Sequence, residues 1–491
     1  MDAAVGGRGD FRESAVGLIP DMTHPPFPKS PTGVPGLDDI TVGGLPAGRP
    51  TLICGGPGSG KTLLGITFLV NGATQFGEPG VLMTFEQNAE ELAADVASLG
   101  YDLPSLIADG KLVVDYVHVE RSEIEETGDY DLEGLFVRLE HAISSVGAKR
   151  LMLDTVESLF GGLPNETILR AELRRLFRWL RDRGVTVVLT GEQGEGTLTR
   201  HGLEEYVTDA VIQLDHRVHE QISTRRIRIV KYRGSHHGTN EYPFLIDERG
   251  VSVLPVTALA LGHDVSQERV STGLPTLDAM LDGQGFFRGS TVLLSGTAGT
   301  GKTTLAAHFA DATCRRGERC HYCLFEESPH QMMRNMTSAG VDLAPWVEKD
   351  LLRFHADRPS RFGLETHLLV LQREIETFRP HAVVIDPMTN LMSVGTGADV
   401  RSMLTRMIDF LKVHQITAVF TGLTHVGTEI ESSEVMVSSL IDTWVLMSAE
   451  MVDRRRQRAV CVLKSRGMPH SDEMTEFKFT SNGIEITSPG N

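Results

Sequence analysis

Cysteine is scarce in this chain: five residues, an odd number, spread over 491 positions. That count does not suit the disulfide framework of a secreted protein. Long apolar runs are missing too. No stretch of 18 apolar residues occurs, so no transmembrane helix is expected. The opening MDAAVGGRGDFRES has no apolar h-region and does not read as a secretory signal. Positive charge is in short supply: 47 Lys and Arg face 65 Asp and Glu, which leaves −18 at pH 7. Such a surface repels phosphate backbones and anionic membranes unless a local basic patch overrides it. The expectation is a cytoplasmic protein with free thiols and neither nucleic-acid nor membrane partners. One local pattern, Cys320-His321-Tyr322-Cys323, mimics a zinc knuckle. It lies within CHYCLF, which reads as a buried strand whose two cysteines point to opposite faces. No second CxxC exists, so no metal site is expected there.

What is present begins with ordinary globular usage, 41% hydrophobic and 23% charged, which excludes wholesale disorder. Length alone suggests about three domains. The internal repeats say two. TGVPGLD at 32–38 returns as TGLPTLD at 272–278, and GGPGSGKT at 55–62 as GTAGTGKT at 296–303. FEQ at 85–87 returns as FEE at 325–327, LMLD at 151–154 as VVID at 383–386, and KYRG at 231–234 as KSRG at 464–467. Lys302 follows Lys61 by 241 residues, Glu326 follows Glu86 by 240, Asp386 follows Asp154 by 232, and Lys464 follows Lys231 by 233. Five features in one order at nearly one spacing define a tandem duplication. The division expected is a flexible arm at 1–19, one unit at 20–252, a linker at 253–267 and a second unit at 268–491. Within each unit, continuous apolar β-branched runs alternate with helical patterns. That is the signature of an α/β fold, a mainly parallel sheet with helices on both faces. The final runs of each unit look like antiparallel strands added at the sheet edge.

The chemistry these motifs support is phosphate chemistry, twice. Each G-x4-GKT follows a strand and opens a helix, the context a P-loop requires. Gly58, Ser59, Gly60, Lys61 and Thr62 in the first copy are candidates to hold nucleotide phosphates. Gly299, Thr300, Gly301, Lys302, Thr303 and Thr304 are their counterparts in the second. Backbone N–H groups converge on phosphate at such a helix N-terminus. The lysine reaches the outer phosphates, and the hydroxyls of Thr62 and Thr303 suit Mg²⁺. Asp154 and Asp386 each end an apolar strand and are expected to help hold the same cation, with Glu326 a further candidate. Glu86, Glu326 and Glu327 follow the next strand, at the sheet edge where ligands sit, and could orient a water or accept a hydroxyl proton. Lys231 with Arg233, and Lys464 with Arg466, place two cations on one side of an edge strand. There they could enter a neighbouring subunit and neutralise γ-phosphate charge as an arginine finger does.

With these residues in view, the chain resembles the circadian clock ATPases typified by KaiC, within the wider RecA/RadA-like ATPases. The resemblance spans about residues 20–488. It rests on both TG[VL]PxLD leads, both P-loops, the FE[EQ] pairs and both KxRG motifs. GQGFFRGS at 283–290 and EYPF at 241–244 add to it. It implies two tandem RecA-like domains that use ATP and Mg²⁺, a homohexamer with ATP between neighbours in both rings, and a KaiB-like regulator. It further implies a slow ATPase in the first ring and self-phosphorylation in the second, with Ser438 and Ser439 in SEVMVSSLID taking the acceptor positions. The alternatives are a RecA/RadA-type DNA-dependent ATPase and a signalling scaffold without kinase activity. The loops GEQGEGTLTRHG and LTHVGTEIESSE are acidic, which disfavours DNA. Three departures from the pattern stand out. The acceptor pair is Ser-Ser, Gln87 replaces a glutamate, and no extended C-terminal tail of the kind that binds a KaiA-type activator is expected.

Overall fold

A computed structural model describes residues 27–117, 133–155, 157, 166–194, 196–200, 202, 207–219, 222–254, 266–361, 363–394, 397–424, 439–481 and 483–487. Two nine-stranded sheets dominate it. In the first, the strands run in the order Leu112–Tyr116, Gly80–Thr84, Arg150–Asp154, Thr186–Glu192, Pro50–Gly55, Ala210–His219, Ile222–Tyr232, Glu241–Asp247, Gly250–Val253. The first six are mutually parallel and the last three antiparallel. The second sheet repeats that order with Leu352–Ala356, Cys320–Leu324, Ala382–Asp386, Thr417–Leu423, Thr291–Gly296, Thr443–Val452, Arg455–Ser465, Thr475–Thr480 and Gly483–Ile486. The expected α/β class and the antiparallel edge are both what the chain adopts.

The physical reason lies in the strands, which are buried on both faces. Leu52 and Cys54 enter one apolar cluster while Ile53, between them, enters the other. Helix Lys61–Gln75 covers one side; helices Glu133–Val146 and Glu166–Asp182 cover the opposite one. The second unit is built likewise, with helix Lys302–Arg315 on one face and helices Leu364–Phe378 and Gly397–Val413 on the other. Cys320 and Cys323 belong to different clusters, so the zinc-knuckle spacing does split across the sheet.

The duplication holds at the level of register. The hairpin Ala210–His219/Ile222–Tyr232 carries a bulge at Val211/Ile212, and its counterpart carries one at Trp444/Val445, 233 residues later. The TGxPxLD leads prove to be structural. Asp38 accepts from the Thr32 amide (2.9 Å), the Thr32 hydroxyl (2.7 Å) and the Gly33 amide (3.0 Å). Asp278 accepts from the Thr272 amide at 2.8 Å. Each lead is thus a carboxylate-tied turn, and the first is joined to the P-loop helix by Asn71, which donates to the Thr32 carbonyl. The two units meet directly. Arg226 pairs with Glu365 (3.0 Å), Arg373 reaches Asp247 and the Ser252 hydroxyl, and Leu254 enters the apolar cluster of the second unit.

Candidate active sites

Each phosphate loop leaves the end of a buried central strand and turns at once into a helix. Gly60 (φ 99°) and Gly301 (φ 104°) sit at the helix starts in the left-handed region, which glycine enters without steric cost. A side chain there would also collide, with Ile246 Cδ1 in the first unit and with the Phe479 ring in the second, both 2.7 Å from where a Cβ would stand. No side chain caps either helix, so the first-turn N–H groups are left for an anion. Both lysines arch back over their loops. Lys61 Nζ donates to the carbonyls of Gly55 (2.9 Å) and Gly56 (3.1 Å), and Lys302 Nζ to those of Gly296 (2.7 Å) and Thr297 (2.9 Å). Gly58 (φ 70°) and Gly299 (φ 73°) turn the loops themselves. Ser59, Thr300 and Thr304 are buried, at 0%, 0% and 7% exposure. Thr300 Oγ1 donates to the Thr297 carbonyl (2.9 Å) and so shapes the loop.

The hydroxyl and carboxylate expected to hold Mg²⁺ are brought together in both units. Thr62 Oγ1 lies 3.3 Å from Asp154 Oδ1, and Thr303 Oγ1 lies 3.4 Å from Asp386 Oδ1. Burial pushes both carboxyls above the usual carboxylate range, against the hydrogen bonds they accept. A buried carboxylate beside a hydroxyl offers the oxygen ligands a hard divalent cation takes, so Thr62 with Asp154 and Thr303 with Asp386 fit Mg²⁺. Three supporting groups escaped the sequence reading. Thr190 and Thr421 each donate to the aspartate of their own unit. They occupy matching places in VTVVLTG and TAVFTGL, so the repeat comparison carried their signal. Tyr322 donates to Asp386 Oδ2 at 3.0 Å. Its counterpart by register is Leu82, so no repeat pointed to it.

The glutamates stand at the expected edge. Glu86, Glu326 and Glu327 are all exposed, and Glu86 Oε1 accepts from Thr155 Oγ1 at 3.1 Å. The neighbouring position is engaged differently in the two units. Gln87 Nε2 donates to Asp95 (3.0 Å), whereas Glu327 accepts from Asn335 Nδ2 (3.2 Å). The change from glutamate to glutamine is matched by the reverse change of its partner, and the link to the next helix persists. Glu327 is therefore tied to that helix, and Glu326 is the candidate base that precedes it.

The KxRG cations are not beside their own phosphate loops. Arg466 Nη2 donates to the Ser439 carbonyl (2.9 Å) and Lys464 Nζ to the Ile441 carbonyl (2.8 Å). The adjacent Asp442 accepts from the Thr291 amide (2.9 Å), at the beginning of the strand that ends in the loop. In the first unit the Arg233 amide donates to the Asp209 carbonyl, whose own amide donates to Pro50, again the strand's first residue. Lys231 precedes it at the end of the strand Ile222–Tyr232. Cations and phosphate loop thus occupy opposite ends of one six-residue strand. Ser439 is exposed, while Ser438 lies outside the described residues.

Comparison with known proteins adds the lineage. The family model described as "ATPase: KaiC" matches residues 30–258 and again 270–491. The "Circadian clock protein KaiC2" of Synechocystis sp. is 54% identical over 460 residues, covering 93% of this chain and 81% of that protein. The "Circadian clock oscillator protein KaiC" of Thermostichus vulcanus is 37% identical over 461 residues, covering 93% and 89%. That of Synechococcus elongatus is 35% identical over 466 residues, covering 94% and 90%.

Proposed function

The chain belongs to the KaiC family of ATPases, and from that premise we propose that it is a Mg²⁺-dependent ATPase and serine autokinase working as a closed ring of identical copies, a homohexamer. One observation carries the reading. The cations Lys464 and Arg466 lie at the opposite end of the central strand from Lys302, so a complete phosphoryl site needs the cation end of one copy against the loop end of the next. Contacts of that head-to-tail kind close into rings. The same geometry supports a kinase. Arg466 holds the Ser439 backbone, so a serine travels with the cations to the neighbour's γ-phosphate. The units proposed at 20–252 and 268–491 each supply one such ring.

In the second ring, Lys302 and the loop N–H groups hold the outer phosphates of ATP. Thr303 and Asp386 are the residues that would hold Mg²⁺, with Glu326 beside them, and the bound cation supplies neutralisation of phosphate charge. The oxygen of Ser438 or Ser439 from the adjoining copy attacks the γ-phosphorus. The bond between that phosphorus and the β–γ bridging oxygen breaks, and ADP leaves. The serine proton passes to Glu326. Lys464 and Arg466 of the adjoining copy spread the charge on the transferring group, so the rate comes from positioning and electrostatics. In the first ring the acceptor is water, oriented by Glu86, with Lys61, Thr62, Asp154, Lys231 and Arg233 in the matching places. A KaiB-like protein is the proposed regulator. Phosphopeptide mass spectrometry after incubation with Mg-ATP tests the reading. Label at Ser438 or Ser439, lost in Lys302→Ala, is the expected result. ADP release with no phosphopeptide would leave an ATPase and remove the kinase.

A further inference from the structure

The second phosphate loop has an arginine of its own unit lying on it, where the register counterpart in the first unit is an uncharged serine. The hairpin Thr443–Val452/Arg455–Ser465 turns at Asp453 and Arg454 and places the exposed Arg456 across its own loop. Arg456 Nη2 donates to the Ala298 carbonyl at 2.9 Å. Its Nη1 and Nη2 lie 3.1 and 3.4 Å from where a Cβ on Gly299 would stand. The guanidinium therefore rests on the turn that forms the phosphate cradle. One of its five N–H donors is engaged by that carbonyl, and a guanidinium never loses its charge at working pH. In the first unit the register puts Ser223 opposite Val218 as Arg456 stands opposite Met451, with the bulges in matching places. Ser223 carries no charge, and its hydroxyl lies 2.6 Å from His216 Nε2. Gly58, the counterpart of Gly299, has nothing within 4 Å of its Cβ position. The next arginine along, Arg458, answers to Arg225 in the first unit, so it does not distinguish the two.

We propose that Arg456 is a nucleotide-binding residue of the second loop, contributed by the same copy as the loop. It makes that loop hold polyphosphate more tightly, and triphosphate more tightly than diphosphate, than the first loop does. The inference rests on the reading of both loops as ATP sites. Its physical basis is Coulombic. A fixed cation at the rim of the cradle attracts a nucleotide in proportion to the ligand's charge, and salt screens that attraction. It also fits a division of labour in which the second ring must retain ATP until a serine is in place.

The test uses the full-length chain carrying Lys61→Ala, so that only the second loop binds, and fluorescent ATP and ADP analogues as probes. Arg456→Ser, which copies the first unit, should raise the Kd for the ATP analogue about tenfold and that for the ADP analogue about fivefold. Its binding should also depend less steeply on salt. Arg456→Lys keeps the charge without the planar fork and should fall between the two. Unchanged affinities and salt slope in Arg456→Ser would overturn the proposal. So would tighter binding, which would mean that the arginine only holds the loop shut. If the Lys61→Ala/Lys302→Ala chain still bound nucleotide, the assignment of the loops as ATP sites would fail instead.

Discussion

A chain carrying Lys302→Ala and a chain carrying Arg466→Ala should each lose self-phosphorylation, yet recover part of it when assembled together. The central strand Thr291–Gly296 separates the two residues within one copy. Six residues at about 3.3 Å each put them about 20 Å apart. Unit charges at about 20 Å interact by only about 0.2 kcal/mol in water, and a Debye length of about 8 Å reduces that further. Arg466 can do almost nothing for its own loop. Across a subunit contact, the same cation against a transferring phosphoryl group is worth about 10³-fold or more in rate. In a random equal mixture, about one contact in four joins the intact loop of the Arg466→Ala chain to the intact arginine of the Lys302→Ala chain, because a head-to-tail contact takes one half from each partner. Radiolabel incorporation should therefore return to about a quarter of the wild-type rate. Native mass spectrometry would verify that mixed rings had formed. Mixed rings without recovered activity would refute the reasoning, because they would place loop and arginine in one copy.

Tyr322→Phe removes one of the hydroxyls that favour the charged form of Asp386. Its carboxyl should rise further, so the acid limb of second-ring activity should move to higher pH, at a stability cost of about 1–2 kcal/mol; a pH–rate profile reads the first effect and chemical unfolding the second. Glu374 lies 2.8 Å from His321 and 2.9 Å from His355. Burial pushes its carboxyl up, but the two histidines hold it down to about 2, while the bond to Glu374 raises His355. The Glu374 contribution to stability is present above its ordinary 4.5 and is lost as pH falls towards about 2. That of His355 is present below its ordinary 6.5 and is lost as pH rises through the elevated value. Glu374→Gln should remove both dependences from a series of melting temperatures taken between about pH 2 and 9. Arg150 is wholly buried and donates to Glu78 (2.6 Å), the Phe68 carbonyl (2.7 Å) and the Pro31 carbonyl (2.8 Å). Arg150→Ala should cost about 3–5 kcal/mol and lower the melting temperature by about 10 °C, because it strands those partners. Calorimetry that showed less than about 1 kcal/mol would contradict that account.

Much of the site was legible because its signals are local. A phosphate loop needs glycines at positive φ and a lysine one residue into a helix, all within eight residues, and such a pattern survives in one dimension. The pair Thr62 and Asp154 was legible for another reason: parallel strands place their C-terminal ends together, so an aspartate ending an apolar run lands beside the loop. The buried side chains of Ser59, Thr300 and Thr304 were not legible, because a loop motif does not say which of its residues face inward. Nor was Tyr322, whose hydroxyl matters only because register sets it beside the strand that ends in Asp386. Gln87 looked like a lost carboxylate until Asp95 showed the exchange of donor and acceptor.

The scarcity of cysteine, positive charge and long apolar runs, and the order of the repeats, determined by themselves that this is a duplicated α/β chain built around two phosphate loops. They could do so because composition and short-range spacing are properties of the chain. Only the tertiary structure decided that the KxRG cations stand at the far end of the strand from their own loops, that Arg466 holds Ser439, and that Arg456 lies on one loop and not the other. Those relations join residues from about 27 to about 160 positions apart, and pairing register and hairpin reach set such distances, which no local pattern records.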